Sequence, residues 1–343
     1  MAATIAILGA SGKLGGATLS ALLAHDLAPA RSIVALTSAQ PGSEKWAALA
    51  ARFAGAVEVR HARFEDGGTL ERALRGVHTF FLVSTPDIAL DFADDRGEPL
   101  GPGRDAHHRV AVDAARRAGV RRLVYSSLAF AFAAGVGDDV VGSESRAAVM
   151  RAHLRTEAYL RQVRGTEAGA ALGEVVAVRE GLYSESWPLY LGYFARMGAE
   201  DDRTTVRLAG DGGVCWTAIP DLGVANAIIL TAPPGTYEGY RSFYLSTRAA
   251  AARTMREVAA LVAEARGREV AVEIVGAQEH VRHYVEDRGL PAPAVRWWAS
   301  TYAALEDGEC VVDDPTLEEL LARVGKTPTP FEDTVRAMVK RST

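Results

Sequence analysis

Thr4-Ile5-Ala6-Ile7-Leu8-Gly9-Ala10-Ser11-Gly12-Lys13-Leu14-Gly15-Gly16, continued by the run 17–24, is the stretch that decides the fold. An apolar strand, a glycine turn and an apolar-periodic helix, in that order, open a βαβ unit of the kind that binds a dinucleotide. Each glycine has a physical task in this reading. Gly9 lets the strand turn sharply into the helix, Gly12 clears the place where backbone approaches a pyrophosphate, and Gly15 allows the helix to pack close on the strand. The helix N-terminus then offers its free amides to the anion, so Ser11, Lys13 and Leu14 join the three glycines as expected cofactor-binding residues.

Working outward, residues 32–36 read as a second strand ending in Thr37-Ser38, the place where such proteins choose their cofactor. An acidic residue there would hold the ribose 2′-hydroxyl of NAD, and an arginine would meet the 2′-phosphate of NADP. Neither stands at that position. Two hydroxyls, with Lys45 a few residues on, can bind a phosphate, so the expected cofactor is NADPH, with NADH as the alternative. A helix over 44–53 and a strand over 57–60 lead to Phe64-Glu65, placed for the adenine edge, and to Asp66, which reads as the N-cap of a helix over 69–74.

The near-continuous apolar strand 79–83 suits a parallel sheet covered on both faces, and Ser84-Thr85-Pro86 at its end lies beneath the cofactor. A long acidic loop, 86–104, precedes a helix over 105–118 carrying His107 and His108. Adjacent helical residues point about 100° apart, so the two histidines do not share a metal, and none is expected. A strand over 121–127 contributes Ser126 to the cofactor site; an irregular stretch, 131–145, leads to a helix over 146–163 with His153, Glu157 and Tyr159. The sixth strand, 175–178, runs into Arg179-Glu180-Gly181-Leu182-Tyr183, where Gly181 and Leu182 complete the cofactor-binding set.

Six strands alternating with helices or long loops make an α/β protein with a Rossmann-type, doubly wound parallel sheet. Past Pro188 the alternation breaks. The expected division is a dinucleotide-binding domain over 1–187 and a smaller α+β substrate domain over 188–343, with strands near 206–213 and 242–245 as candidates to return to the main sheet.

The 343 residues are 48% hydrophobic, a composition for globular cores and not for disorder. Charge is nearly balanced, 38 basic against 43 acidic side chains, which gives no electrostatic footprint for direct nucleic-acid contact or an anionic membrane. The two cysteines, Cys215 and Cys310, form neither a disulfide framework nor a metal cluster, and no apolar run approaches a membrane span of ~20 residues. Two cysteines outside any such framework fit a reducing compartment, so the expected location is the cytoplasm, with no signal peptide expected ahead of the first strand. Lysine is confined to Lys13, Lys45, Lys326 and Lys340, which makes each lysine easy to test for a role.

Residues 9–15, His108-Arg109, and the segments 121–128, 153–160, 179–185 and 208–221 together resemble the NmrA-like branch of the atypical short-chain dehydrogenases/reductases. That group includes quinone oxidoreductases, triphenylmethane reductase and redox-sensing regulators. The resemblance implies an NAD(P)H-binding domain with a small-molecule substrate in a cleft beside it, in a monomer or homodimer.

The sequence departs from the wider family in one respect. No tyrosine here has a lysine four residues on, so the usual tyrosine–lysine proton donor is absent, and His153 stands where many relatives carry a lysine. The remaining candidates for catalysis are Tyr183, His153 and Glu180, the last either as a protonated acid or as the partner of a nearby arginine. Phe130, Tyr183 and Trp187 are the expected pocket residues, with Trp297-Trp298 as further aromatics. The expected activity is reduction of a quinone, carbonyl or activated double bond in a small apolar substrate. A non-catalytic NAD(P) sensor, or a cyclase or isomerase of secondary metabolism on the same scaffold, are the alternatives.

Overall fold

The computed structural model describes residues 4–130, 144–164, 172–192 and 203–342, so most of the irregular stretch expected at 131–145 lies outside them. In chain order the first half runs β1 (Ile5–Leu8), α1 (Lys13–Ala24), β2 (Ile33–Thr37), α2 (Glu44–Arg52), β3 (Glu58–His61), α3 (Gly67–Ala73), β4 (Thr79–Leu82), α4 (Arg104–Arg117), β5 (Arg122–Leu128), α5 (Ala148–Arg164) and β6 (Glu174–Glu180). The second half adds α6 (Trp187–Tyr190), β7 (Thr205–Leu208), α7 (Ile219–Thr231), β8 (Gly239–Leu245), α8 (Met255–Arg266), β9 (Ala271–Ile274), α9 (Ala277–Arg282), α10 (Ala292–Glu306), α11 (Thr316–Ala322) and α12 (Phe331–Ser342).

Among the described residues seven strands form one sheet in the order β3-β2-β1-β4-β5-β6-β8, every neighbouring pair parallel. Strand alternation divides its side chains between two cores. Ala6, Leu8, Phe80, Leu82, Leu123 and Tyr125 belong to one. Ile5, Ile7, Phe81, Val124, Val176 and Val178 face the other, shared with α1 and α7. These last two helices pack closely: a Cβ added at Gly223 would come within 2.7 Å of the Ala17 carbonyl carbon.

A third core joins the end of β5 to the C-terminal elements and holds Phe130, Trp187, Trp216, Tyr302 and Phe331. Of the two strands that were candidates to return to the main sheet, β8 takes its edge beside β6, after the crossover through α7. β7 instead pairs with β9 in a separate two-stranded parallel sheet. A partner 66 residues further along the chain, Thr205 against Ala271, leaves no local signature in sequence. Among the described residues no helix is long and apolar enough to cross a membrane.

Candidate functional site

The first βα turn has the shape its glycines imply. Gly9 stands at φ +82°, a conformation unfavourable to residues with a Cβ, and the Gly12 amide closes the turn on the Gly9 carbonyl at 2.8 Å. A Cβ at Gly15 would fall 2.4 Å from the Gly9 oxygen, so the helix can start this close to the strand only without one. Gly12 caps α1 with no side-chain bond, which leaves the first-turn amides around Lys13, Leu14 and Gly15 open to an incoming anion. This cradle fits the pyrophosphate of a dinucleotide.

Beside it opens a cavity of about 480 Å³ lined by Ser11, Thr37, Ser38, Ala39, Lys45, Ala48, Leu49 and Arg52. Its charged walls are Lys45 and Arg52, and among the described residues no carboxylate lines it. Arg52 was not legible at the end of β2, because it reaches the site from the last turn of α2. Positions 45, 48, 49 and 52 are spaced i, i+3, i+4 and i+7, one face of a helix, and that spacing is the signal that brings Arg52 beside Lys45. Its guanidinium lies over α1, where a Cβ at Gly16 would be 2.7 Å from Nη1.

At the adenine edge, Phe64 stacks on the ring of His107 with centroids 5.7 Å apart, and exposed Glu65 pairs with Arg63 at 3.3 Å. The Asp66 side chain caps α3 through the amides of Gly68 and Thr69. Among the described residues no group of three His, Cys, Asp or Glu side chains could hold a metal ion.

The ends of β4 and β5 meet α4 and α5 in a buried polar chain. His108 Nε2 accepts from the Thr85 amide at 3.2 Å and lies 3.1 Å from Ser84 Oγ, while its Nδ1 is 2.8 Å from Thr156 Oγ1. Because Nε2 accepts a backbone N–H, the network assigns the ring proton to Nδ1. Burial pushes this imidazole down to about 3, so it is neutral. The Tyr125 hydroxyl lies 2.9 Å from His153 Nδ1 and 3.3 Å from His108 Nδ1, joining the two rings in one hydrogen-bonded chain. Burial holds His153 well below its ordinary range too. A neutral imidazole of this kind can orient a hydroxyl or amide but is no acid.

At the end of β6, alternation sends Arg179 and Glu180 to opposite faces of the sheet. Arg179 bonds Glu157 of α5 at 2.7 and 3.2 Å, and the Ser127 hydroxyl donates to the same carboxylate at 2.7 Å. Glu180, 1% exposed, turns the other way, toward α7. It accepts from Asn226 Nδ2 at 2.8 Å, the Tyr183 hydroxyl at 3.0 Å and Ser126 Oγ at 3.1 Å. The ion pair with an arginine, one of the two readings of Glu180, is therefore not made: Arg179 is spent on Glu157 across the sheet. With three uncharged donors, burial wins and pushes Glu180 up to about 7.

Gly181 is fixed by packing, since a Cβ there would be 2.3 Å from Thr217 Oγ1. Leu182 and Tyr183 then form a wall of a second cavity, about 460 Å³, completed by Leu128, Tyr190, Val295, Trp297 and Trp298 among others. Its walls are almost wholly apolar, and its size suits a small organic molecule. Phe130 and Trp187 do not line it. At 0 and 1% exposure they fill the C-terminal core, where their bulk is needed. The structure thus brings Tyr183, Glu180 and Ser126 together, sets His153 in the neighbouring polar chain, and adds Asn226, which the sequence did not single out.

A parallel doubly wound sheet, a glycine cradle at its first turn and ligand-sized cavities near the carboxyl ends of the strands define a Rossmann-class protein. Residues 1–136 match the model of the NmrA-like family. It is 28% identical over 335 residues to an NmrA-like family domain-containing oxidoreductase, flvB, of Aspergillus flavus, covering 97% of this chain and 94% of the relative. Quinone oxidoreductase 2 of Escherichia coli is 25% identical over 321 residues, 92% of this chain and 93% of its own. Among solved structures, the triphenylmethane reductase of Citrobacter sp. complexed with NADP(H) superposes with a TM-score of 0.71 at 26% identity, covering 99% of this chain and all (100%) of the other.

Proposed function

We propose that this chain is an NADPH-dependent oxidoreductase that reduces a quinone, carbonyl or activated double bond in a small apolar substrate. The observation that carries the reading is the apolar cavity at the end of β6, whose wall includes the tyrosine bonded to Glu180. The names of the relatives, an oxidoreductase, a quinone oxidoreductase and a dye reductase complexed with NADP(H), support the same chemistry.

The roles follow from position. Gly9, Ser11, Gly12, Lys13, Leu14 and Gly15 would hold the pyrophosphate, and Thr37, Ser38, Lys45 and Arg52 the 2′-phosphate. Phe64 and Glu65 would border the adenine. Ser84, Thr85 and Pro86, with Gly181 and Leu182, would border the ribose and nicotinamide, where neutral His153 serves as a hydrogen-bond donor. The bound cofactor supplies a hydride. The protein's contribution is to exclude water with apolar walls and to supply a proton, for which Tyr183 is the donor that reaches the substrate cavity. Ser126, assigned to the cofactor from sequence, is committed to Glu180. An electron-poor quinone or conjugated dye accepts hydride directly, so this chemistry tolerates the missing tyrosine–lysine pair.

The protein would act in the cytoplasm, where its buried free thiols Cys215 and Cys310 stay reduced, as a monomer or homodimer. Steady NADPH consumption with a panel of quinones tests the proposal. Cofactor binding without turnover would favour a sensor instead, and conversion of a substrate with no change at the nicotinamide band would favour an isomerase or cyclase.

A further inference from the structure

We infer that Glu180 and Tyr183 are one proton-delivery unit, in which Tyr183 hands its hydroxyl proton to the substrate and the buried Glu180 carboxyl refills it. The inference rests on the reductase reading and deepens it: three separate acid candidates reduce to one donor and its reservoir. Geometry carries it. Tyr183 lines the apolar cavity, and its oxygen lies 3.0 Å from Glu180 Oε2. Behind it the carboxyl is sealed from solvent between β5, β6 and α7. Asn226 occupies the other oxygen, Oε1, with an N–H donor at 2.8 Å. A neutral carboxylic acid held this way keeps Oε1 as its acceptor and carries its proton on Oε2, facing the phenol. Asn226 and Ser126 are positioning residues that fix that orientation.

The step balances. Hydride from the reduced nicotinamide forms the new C–H bond, and the displaced π pair becomes a lone pair on the substrate oxygen. That oxygen takes the Tyr183 proton while the Tyr183 oxygen takes the proton of Glu180 Oε2. Glu180 is left as carboxylate and regains its proton from water in the emptied cavity through the Tyr183 hydroxyl. Transfer from Tyr183 alone would leave a buried phenolate with no compensating charge, which burial strongly disfavours. The coupled transfer removes that obstacle.

The immediate neighbours of Glu180 are uncharged: Ser126 on β5, Asn226 on α7 and Tyr183 on the loop that follows β6. Among the described residues, charged groups act one step further out. Glu185 acts on Tyr183, and Lys13 and Asp221 act on Glu185. Arg179 and Glu157 pair on the opposite face of the sheet.

The test uses the whole protein and two variants, E180Q and Y183F, each checked for NADPH binding as evidence of a folded site. Infrared titration of the cofactor-free protein should show a buried protonated carboxyl that ionises near pH 7 and is missing in E180Q. With a quinone that the wild type reduces, kcat should fall as pH rises through that value. E180Q should be slower by roughly 100-fold and lose that limb, and E180Q/Y183F should be no slower than either single variant. A carboxyl that ionises in the ordinary range, a pH limb that survives in E180Q, or losses that multiply in the double variant would overturn the unit. Wild-type protein that binds NADPH yet reduces no acceptor would overturn the reductase reading, and the unit's role with it. Wild-type turnover matched by E180Q or Y183F would overturn the unit alone.

Discussion

Replacing Arg52 with alanine removes one of the two cations that line the cavity beside the glycine turn. If that cavity receives a 2′-phosphate, the loss is one charge-assisted contact, worth roughly 1.5–3 kcal/mol, or about 10- to 150-fold in affinity. The cavity is open to solvent, so screening places the effect toward the lower end at physiological salt and shrinks it further as salt rises. NADH has no phosphate at that position, and its affinity should change by less than about twofold. Fluorescence titration of both cofactors into wild type and Arg52→Ala measures the two effects. Parallel calorimetry with 2′,5′-ADP and 5′-AMP isolates the phosphate from the rest of the cofactor. Equal losses for NADPH and NADH, or no loss for either, would refute the reasoning.

Gly15→Ala places a Cβ 2.4 Å from the Gly9 oxygen, and the turn must open to admit it. It should cost roughly 1–3 kcal/mol in urea unfolding and weaken binding of both cofactors together. Glu157→Ala takes the carboxylate from buried Arg179 and should cost about 3–5 kcal/mol by the same measurement. Glu180→Gln should change how stability depends on pH. The folded carboxyl releases its proton near pH 7 and the unfolded one near its ordinary 4.5, so wild-type stability falls as pH rises through that window, by up to ~3 kcal/mol. Urea unfolding at pH 5 and pH 8 should show that fall in wild type and its absence in the variant.

The dinucleotide half was legible because its signals are local. A strand, a glycine turn and a helix follow one another within residues 5–24, and the later parallel strands repeat the apolar pattern that burial on both faces demands. The pairing of β7 with β9 was not, since two four-residue strands distant in sequence share no pattern. In the site, Arg52 leaves no mark at the end of β2, although its spacing from Lys45 puts the two on one helical face. The environment of Glu180 was half legible. Alternation along β6 separates it from Arg179, but the approach of Asn226 depends on where α7 crosses the sheet. Phe130 and Trp187 show the limit of reading aromatics by type, because a large apolar side chain serves a core and a pocket equally well until packing decides.

The central claim is that this chain moves a hydride from NADPH to an apolar acceptor, and the most direct measurement is nicotinamide absorbance over time with a panel of quinones. Consumption should be continuous, require both protein and quinone, and run much faster with NADPH than with NADH. Stoichiometric NADPH binding with no consumption by any quinone, carbonyl or conjugated dye would contradict it.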